Sequence, residues 1–230
     1  MNTNNIKTRV WDLPTRLFHW ILAFCVAGSF ISVKLGGLWM DWHVRLGLAV
    51  TGLIVFRLIW GLVGPRYARF AQFVRSPLAV LRYLRSQTMH IAGHNPLGAY
   101  SVLALILSIG FQAFSGLFTN DDVMTAGPLA SVSETWSATL GGLHKLNEWI
   151  LLALITLHIV AILWYRLKKR KNLLGAMLHG DVSLELSPGQ SVPSAKDTWA
   201  VRLGALILAL AIAAGLWWLT TLVPAADAYY

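Results

Sequence analysis

His144 and His158 stand 14 residues apart in the apolar run LHKLNEWILLALITLHIVAILWY, residues 143 to 165. At about 100° per residue this spacing falls roughly 40° short of four full turns, so both imidazoles leave one face of a helix, roughly 21 Å apart along its axis. That separation is most of a hydrocarbon core about 30 Å thick. An apolar helix gains nothing from two imidazoles stacked at two depths unless something occupies the space beside each. Haem has the required chemistry, because its iron takes axial histidines. Two further histidines, His19 and His43, each open another apolar run.

The composition provides the setting for such a group. The 230 residues are 56% hydrophobic and only 13% charged, with 11 Trp, which is far from a soluble average and close to a polytopic membrane protein. One cysteine, Cys25, excludes an internal disulfide, a cysteine-based metal cluster and c-type haem attachment. The excess of 19 basic over 10 acidic side chains marks loops on the cytoplasmic side rather than nucleic-acid binding. No secretory signal peptide is expected, since no small-residue cleavage site follows the first apolar run.

Five spans follow from hydropathy. The first is expected at about Leu17 to Val33 and the second at Trp42 to Val63, joined by a glycine-containing turn with Trp39 and Trp42 as interfacial anchors. Residues 64 to 95 hold five arginines and no acidic residue, the strongest cytoplasmic signal in the chain. Within them SPLAVLRYLRS reads as an amphipathic helix on the bilayer surface. Asn95 as N-cap and Pro96 as first helical residue start a third span that runs to about Phe118. Residues 119 to 142 carry Asp121, Asp122 and Glu134 without Lys or Arg, as befits the periplasmic side. The fourth span, Leu143 to Tyr165, ends in RLKKRK, a polar linker reaches residue 200, and a fifth span is expected at Val201 to Val223. The N-terminus is therefore placed in the cytoplasm and the C-terminus in the periplasm.

This topology pairs the histidines. His19 and His158 fall near the cytoplasmic face, and His43 and His144 near the periplasmic face. Two depth-matched pairs are what two bis-histidine b haems require. Iron held this way has no open position, which favours electron transfer over oxygen activation. A zinc reading is weaker, because two separate two-histidine sites lack carboxylate or thiolate ligands. Arg16 and Arg45 are candidate partners for haem propionates, with interfacial anchoring as the alternative. Glu148, one turn after His144, is a candidate for bonding a ligand or relaying a proton, with a Lys145–Glu148 surface pair as the alternative. His90, His94 and His179 are expected to be solvated or capping.

Several stretches resemble a known family. VWDLPTRLFHW (10–20), GHNPLGA (93–99), SGLFTNDD (115–122), GPLA (127–130), LHKLNEWILLALITLHIVAI and KNLLGAMLHG (171–180) are similar to bacterial cytochrome b561, which also takes in the cytochrome b subunits of nickel–iron hydrogenases. The resemblance covers about residues 8 to 180. It implies a four-helix core with two b haems on His19, His43, His144 and His158, exchanging electrons between the quinone pool and a redox partner. The expected fold is an all-α integral membrane protein, a four-helix transmembrane bundle binding haem plus a fifth C-terminal transmembrane helix. Its division would be a haem-binding domain at 1–180, a polar linker at 181–200 and an additional helix and tail at 201–230. Neither linker nor fifth helix is explained by the resemblance.

The expected function is transfer of electrons in the bacterial inner membrane between quinone or quinol and a periplasmic redox protein, such as a c-type cytochrome or a hydrogenase-like enzyme. Whether that makes the chain an enzyme is left open. The alternative is a superoxide oxidase that reduces quinone, an activity found among proteins that this core resembles. It needs a positive periplasmic funnel, but Lys34, Arg45 and Lys145 are set there against Asp41, Asp121, Asp122 and Glu134. A haem-free anchor for a soluble enzyme is a third class. Membrane lipid is a partner on any of these readings, and the exposed faces of five spans permit a homodimer without demanding one.

Overall fold

The computed structural model describes residues 4–86, 93–120, 125–186 and 191–222. Along the chain come β1 (Asn4–Arg9), α1 (Leu13–Leu35), a 3-10 turn (Gly37–Trp39), α2 (Met40–Val63), α3 (Phe70–Phe73), α4 (Pro77–Ser86) and α5 (Pro96–Gly116). A second 3-10 turn (Ala130–Val132), α6 (Glu134–Leu167), α7 (Leu173–His179), β2 (Asp181–Leu186) and α8 (Trp199–Leu222) complete it. Among the described residues five helices, at 13–35, 37–63, 96–116, 134–167 and 199–221, are long and apolar enough to cross a membrane. Their outward residues suit hydrocarbon: Phe24 is 73% exposed and Leu107 71%.

Helix starts follow their caps. Asp12 is wholly buried, and its carboxylate accepts from the Thr15 amide at 2.9 Å and the Thr15 hydroxyl at 2.8 Å. With Pro14 in the first turn, α1 begins at Leu13, four residues before the start that hydropathy gives. Asn95 accepts from the Gly98 amide at 2.7 Å and opens α5 as expected. The larger difference is α6, which begins at Glu134 rather than Leu143. Ser133 accepts from the Trp136 amide at 3.3 Å, and Glu134 puts a negative charge at the positive end of the helix. The polar, glycine-containing turns of residues 134–142 are thus helical although their hydropathy reads as loop.

The chain divides into two compact units, each built from parts of the same long helices. The first comprises residues 1–17, 57–104 and 155–205. Here β1 and β2 pair antiparallel, from Asn4 opposite Leu186 to Arg9 opposite Asp181. The stretch read from sequence as a bare linker therefore contains a strand, and residues beyond it fold back as well. The Ala195 amide donates to the Arg9 carbonyl at 2.7 Å, and the Tyr67 hydroxyl to the Pro193 carbonyl at 2.8 Å. Gly180 turns α7 into β2 at φ 90°, and its carbonyl accepts from the Val10 and Trp11 amides at 2.9 and 3.0 Å. A Cβ there would stand 2.6 Å from the Trp11 carbonyl oxygen, so both conformation and space require glycine. Val10, Trp11 and Ala176 form a small core with Tyr67, Met177 and Val182. His94, expected to be solvated or capping, packs its ring against Trp11 and Phe73, with centroids 4.7 and 4.8 Å away.

The second unit comprises residues 18–56, 105–154 and 206–230. Polar side chains lock α5 to α6 within it. Asn147 donates to the Ser108 carbonyl at 3.0 Å and to Gln112 Oε1 at 2.7 Å, while the Ser108 hydroxyl donates back to Asn147 at 3.2 Å. Such bonds persist in apolar surroundings because no water competes for them. Gly52 on α2 lies beside Leu216 and Ile212 of α8, so the fifth helix packs on α2 in this unit.

Ionic contacts close the first unit. Arg9 bridges Asp181 and Asp197, with its contact to Asp197 at 2.9 Å, and Asp197 also accepts from the Leu13 amide at 3.2 Å and from Arg202 at 3.0 Å. Burial raises the Asp197 pKa, but the bonds from Arg202, Leu13 and Arg9 outweigh it and hold the carboxyl below its ordinary 3.8. A depressed folded-state pKa means the stabilisation is complete above 3.8 and is lost as pH falls through the lowered value. Amide-exchange protection of β1 and β2 is accordingly expected to hold from neutral pH down to about 4 and to fail below it. Asp197→Asn is expected to cost about 2 kcal/mol locally, seen as a roughly 30-fold faster exchange in residues 4–9 at neutral pH.

Candidate functional site

The second unit contains a cavity that brings His43 and His144 together. Its empty space is about 1230 Å³, the open solvent at its mouth included. Its walls are mostly apolar, with Val26, Val50, Ile109 and Ala113 among them, and the polar lining includes Ser29, Gln112, Lys145 and Glu148. Gly47, one turn after His43, leaves open space where a side chain would stand. Gly116 approaches the other ring so closely that a Cβ would lie 3.1 Å from His144 Cε1.

Backbone carbonyls fix both imidazoles. His43 Nδ1 lies 3.0 Å from the Ser29 carbonyl oxygen, and His144 Nδ1 lies 3.0 Å from that of Gln112. A carbonyl only accepts, so Nδ1 carries the proton in each ring and Nε2 is left with its lone pair. Ser115, fully buried, stands 3.1 Å from the same His144 nitrogen while its hydroxyl donates to the Phe111 carbonyl at 2.7 Å. An outer hydrogen bond that sets tautomer and ring plane is the usual support of a metal-binding imidazole.

The two rings are 6.3 Å apart between centroids and nearly perpendicular, at 84°. A metal–imidazole bond is about 2 Å and its nitrogen stands about 1 Å from the ring centre, so two imidazoles across one metal have centroids roughly 6 Å apart. Among the described residues no group of three or more His, Cys, Asp or Glu could hold a metal ion. Two histidines without a third ligand do not make a zinc site, while the separation of their ring centres suits two imidazoles on one haem iron.

The other predicted residues have varied surroundings. His19, half-buried, belongs to the second unit and sets its ring edge-on to Trp20 at 5.0 Å. His158, also half-buried, belongs to the first unit and shares the unbroken helix α6 with His144. Arg16 donates to the Leu178 carbonyl at 2.6 Å, tying α1 to the end of α7. Arg45 is exposed, with its guanidinium 5.5 Å from the centre of the Trp42 ring. Glu148 pairs with Lys34, at 3.6 Å, rather than with Lys145. His179 is exposed, while His90, Asp121 and Asp122 lie outside the described residues.

Sequence reasoning missed the supports of this site. The carbonyls of Ser29 and Gln112 carry no side-chain signal. Ser115 and Gly116 do have one, since they open the SGLF stretch, and so does Gly127 in GPLA. The Gly127 amide donates to the Thr119 carbonyl at 2.7 Å, and a Cβ there would collide with the Gly116 and Leu117 carbonyls. That glycine lets the following loop lie flat on the end of α5, beside the His144 pocket.

The profile of the prokaryotic cytochrome b561 family matches residues 10–180. The chain is 23% identical to a probable Ni/Fe-hydrogenase B-type cytochrome subunit of Rhizobium leguminosarum bv. viciae, over 75% of this chain and 87% of the relative. It is 22% identical to a probable Ni/Fe-hydrogenase 1 B-type cytochrome subunit of Escherichia coli K12, over 77% and 91%. A Cupriavidus necator protein of the former description is 22% identical, over 75% and 86%. No solved structure matches the chain. With the matched segment spanning most of its length, and five helices able to cross a bilayer, this chain belongs to the prokaryotic cytochrome b561 family and is a multi-pass membrane b-type cytochrome.

Proposed function

We propose that the chain binds two bis-histidine haems b, one between His43 and His144 and one between His19 and His158, and that it passes electrons between the quinone pool and a redox protein outside the bacterial inner membrane. The observation that carries this reading is the geometry of His43 and His144, two imidazoles with ring centres 6.3 Å apart and each with its Nδ1 against a backbone carbonyl. Bound haem would supply one-electron exchange between ferric and ferrous iron. The protein's part is to fill both axial positions, exclude water with the apolar walls and hold the rings still, so that little rearranges when charge moves.

The second pair is supported by sequence. His158 follows His144 by 14 residues on one continuous helix, which places it about 21 Å further along the axis. His19 is the remaining histidine inside an apolar helix, with Arg16 one turn before it as a candidate propionate partner. Arg45 serves the same role in the His43 half only if it leaves the Trp42 ring. The distribution of basic and acidic loops supports a cytoplasmic N-terminus and a periplasmic C-terminus. The relatives named as hydrogenase cytochrome subunits make a nickel–iron hydrogenase the first partner to test, ahead of a c-type cytochrome. Superoxide oxidation is not favoured: the charged groups lining the cavity are Lys145 and Glu148, which cancel, and Glu148 also neutralises Lys34.

Haem content and reduction by ubiquinol or menadiol test the proposal together. Two b haems per purified chain, at least partly reduced by quinol, are expected; one haem would remove the His19–His158 pair, and none would end the reading. His43→Ala and His144→Ala are each expected to lower the content from two haems to one, and the double variant to lose no more than either.

A subtler change tests the support of His144. Gly116→Ala is expected to push the imidazole off its carbonyl, lowering occupancy of one haem several-fold or shifting its midpoint potential. An unchanged low-spin spectrum and potential would mean that the Gly116 contact is not part of the site.

A further inference from the structure

We propose that α4 and the end of α6, both in the first unit, form a binding surface for anionic phospholipid. Two faces of α4 carry the argument. Ala79, Val80 and Tyr83 are half-buried and form its inner face. Leu78, Leu81, Arg82 and Arg85 follow the spacing i, i+3, i+4, i+7 and lie within about 100° of arc on its outer face. Leu78 is 55% exposed and Leu81 54%, and both arginines are exposed. Leucines toward the start and arginines toward the end give one short helix an acyl-chain contact beside a phosphate contact.

The charge around it has one sign. Residues 64–95 contain five arginines, and residues 166–171 a further five Lys and Arg, with no Asp or Glu in either stretch. Arginine presents a planar fork that matches phosphate oxygens in pairs, which a lone ammonium does not. The two basic stretches are joined. Tyr83 Oη on α4 lies 3.3 Å from Tyr165 Oη on α6, and Asn95 donates to Tyr165 at 2.6 Å. Burial and the Tyr165 hydroxyl push the Tyr83 phenol up to about 12, so Tyr83 meets Tyr165 as a neutral phenol at working pH.

The end of α6 is shaped to present its cations. Arg170 takes φ 52°, and the Lys171 amide reaches back to the Tyr165 carbonyl at 3.0 Å, a left-handed cap that stops the helix within the basic run. Both stretches adjoin ends of helices able to cross a membrane, namely α2, α5 and α6. A basic surface at that level meets headgroups before it meets any soluble partner, so phosphatidylglycerol-type or cardiolipin-type lipid is the ligand whose chemistry fits.

The test uses the full chain, reconstituted with phosphatidylcholine alone or with a phosphatidylglycerol admixture and then moved to detergent. Lipid retained per protein is counted by native mass spectrometry. Selective retention of phosphatidylglycerol is expected, with Arg82→Gln plus Arg85→Gln lowering it roughly 10-fold while the haem spectrum is unchanged. In the unmodified protein, about 1 M salt should abolish the selectivity, a reading that needs no variant. Equal retention of both lipids, or selectivity indifferent to salt and to the arginine pair, would overturn the proposal. So would displacement of the lipid by millimolar inorganic phosphate, which would reassign the surface to free phosphate. Tight capture of an acidic soluble protein without lipid selectivity would reassign it to protein docking.

Discussion

Two backbone carbonyls determine what the His43 and His144 cavity can hold. An imidazole in an apolar helix is a poor ligand if its tautomer fluctuates, since the metal needs a lone pair in one place. Ser29 and Gln112 remove that freedom by taking the Nδ1 proton of each ring at 3.0 Å. Both acceptors lie on helices, and a helical carbonyl already bonded within its helix retains a second lone pair for such a contact. The helices must therefore sit at the right height and rotation. Gln112 does two tasks here: its carbonyl holds His144 and its side chain accepts from Asn147, one turn further along α6. The Ser108–Asn147–Gln112 contacts thus set the register of α5 against α6, and the ligand geometry inherits it.

The same requirement explains why small residues gather near the rings. Gly116 lies against His144, and Gly127 lies against the end of α5 that carries Gly116. A larger side chain at Gly116 would meet the ring, and one at Gly127 would meet the Gly116 and Leu117 carbonyls at the end of α5. Gly47 leaves a recess one turn from His43. The functional reading of the SGLF and GPLA stretches is therefore steric. They make room and hold position.

Much of this was legible in the sequence because membrane helices announce themselves. Five apolar runs and the helix start at Asn95 and Pro96 required only hydropathy and capping rules. What was hidden obeys different physics. The start of α6 was misplaced by nine residues because Glu134 to Gly142 is helical for reasons of capping, which hydropathy does not measure. The β1–β2 pair joins residues about 170 positions apart, and each strand is only six residues long, so neither shows a pattern strong enough to propose the other. Glu148 was offered Lys145, a neighbour on its own helix, but Lys34 from α1 holds it. In each case the missing information was tertiary.

The first unit has its own logic, and it bears on the fifth helix. A strand, a short helix and an extended segment from opposite ends of the chain close over the beginning of α1, and Arg9 joins them by meeting carboxylates at positions 181 and 197. Asp197 in turn bonds Arg202 in the first turn of α8. Pro193, Ala195 and Asp197 are consequently held by specific bonds to Tyr67, β1 and α1, where a tether would need none. In the second unit α8 then packs against Gly52 of α2, a site where any larger residue would meet Leu216. The helix is thus fixed at its start by charge and touches α2 at Gly52. The family match ends at residue 180, and each of these contacts has a partner beyond that end.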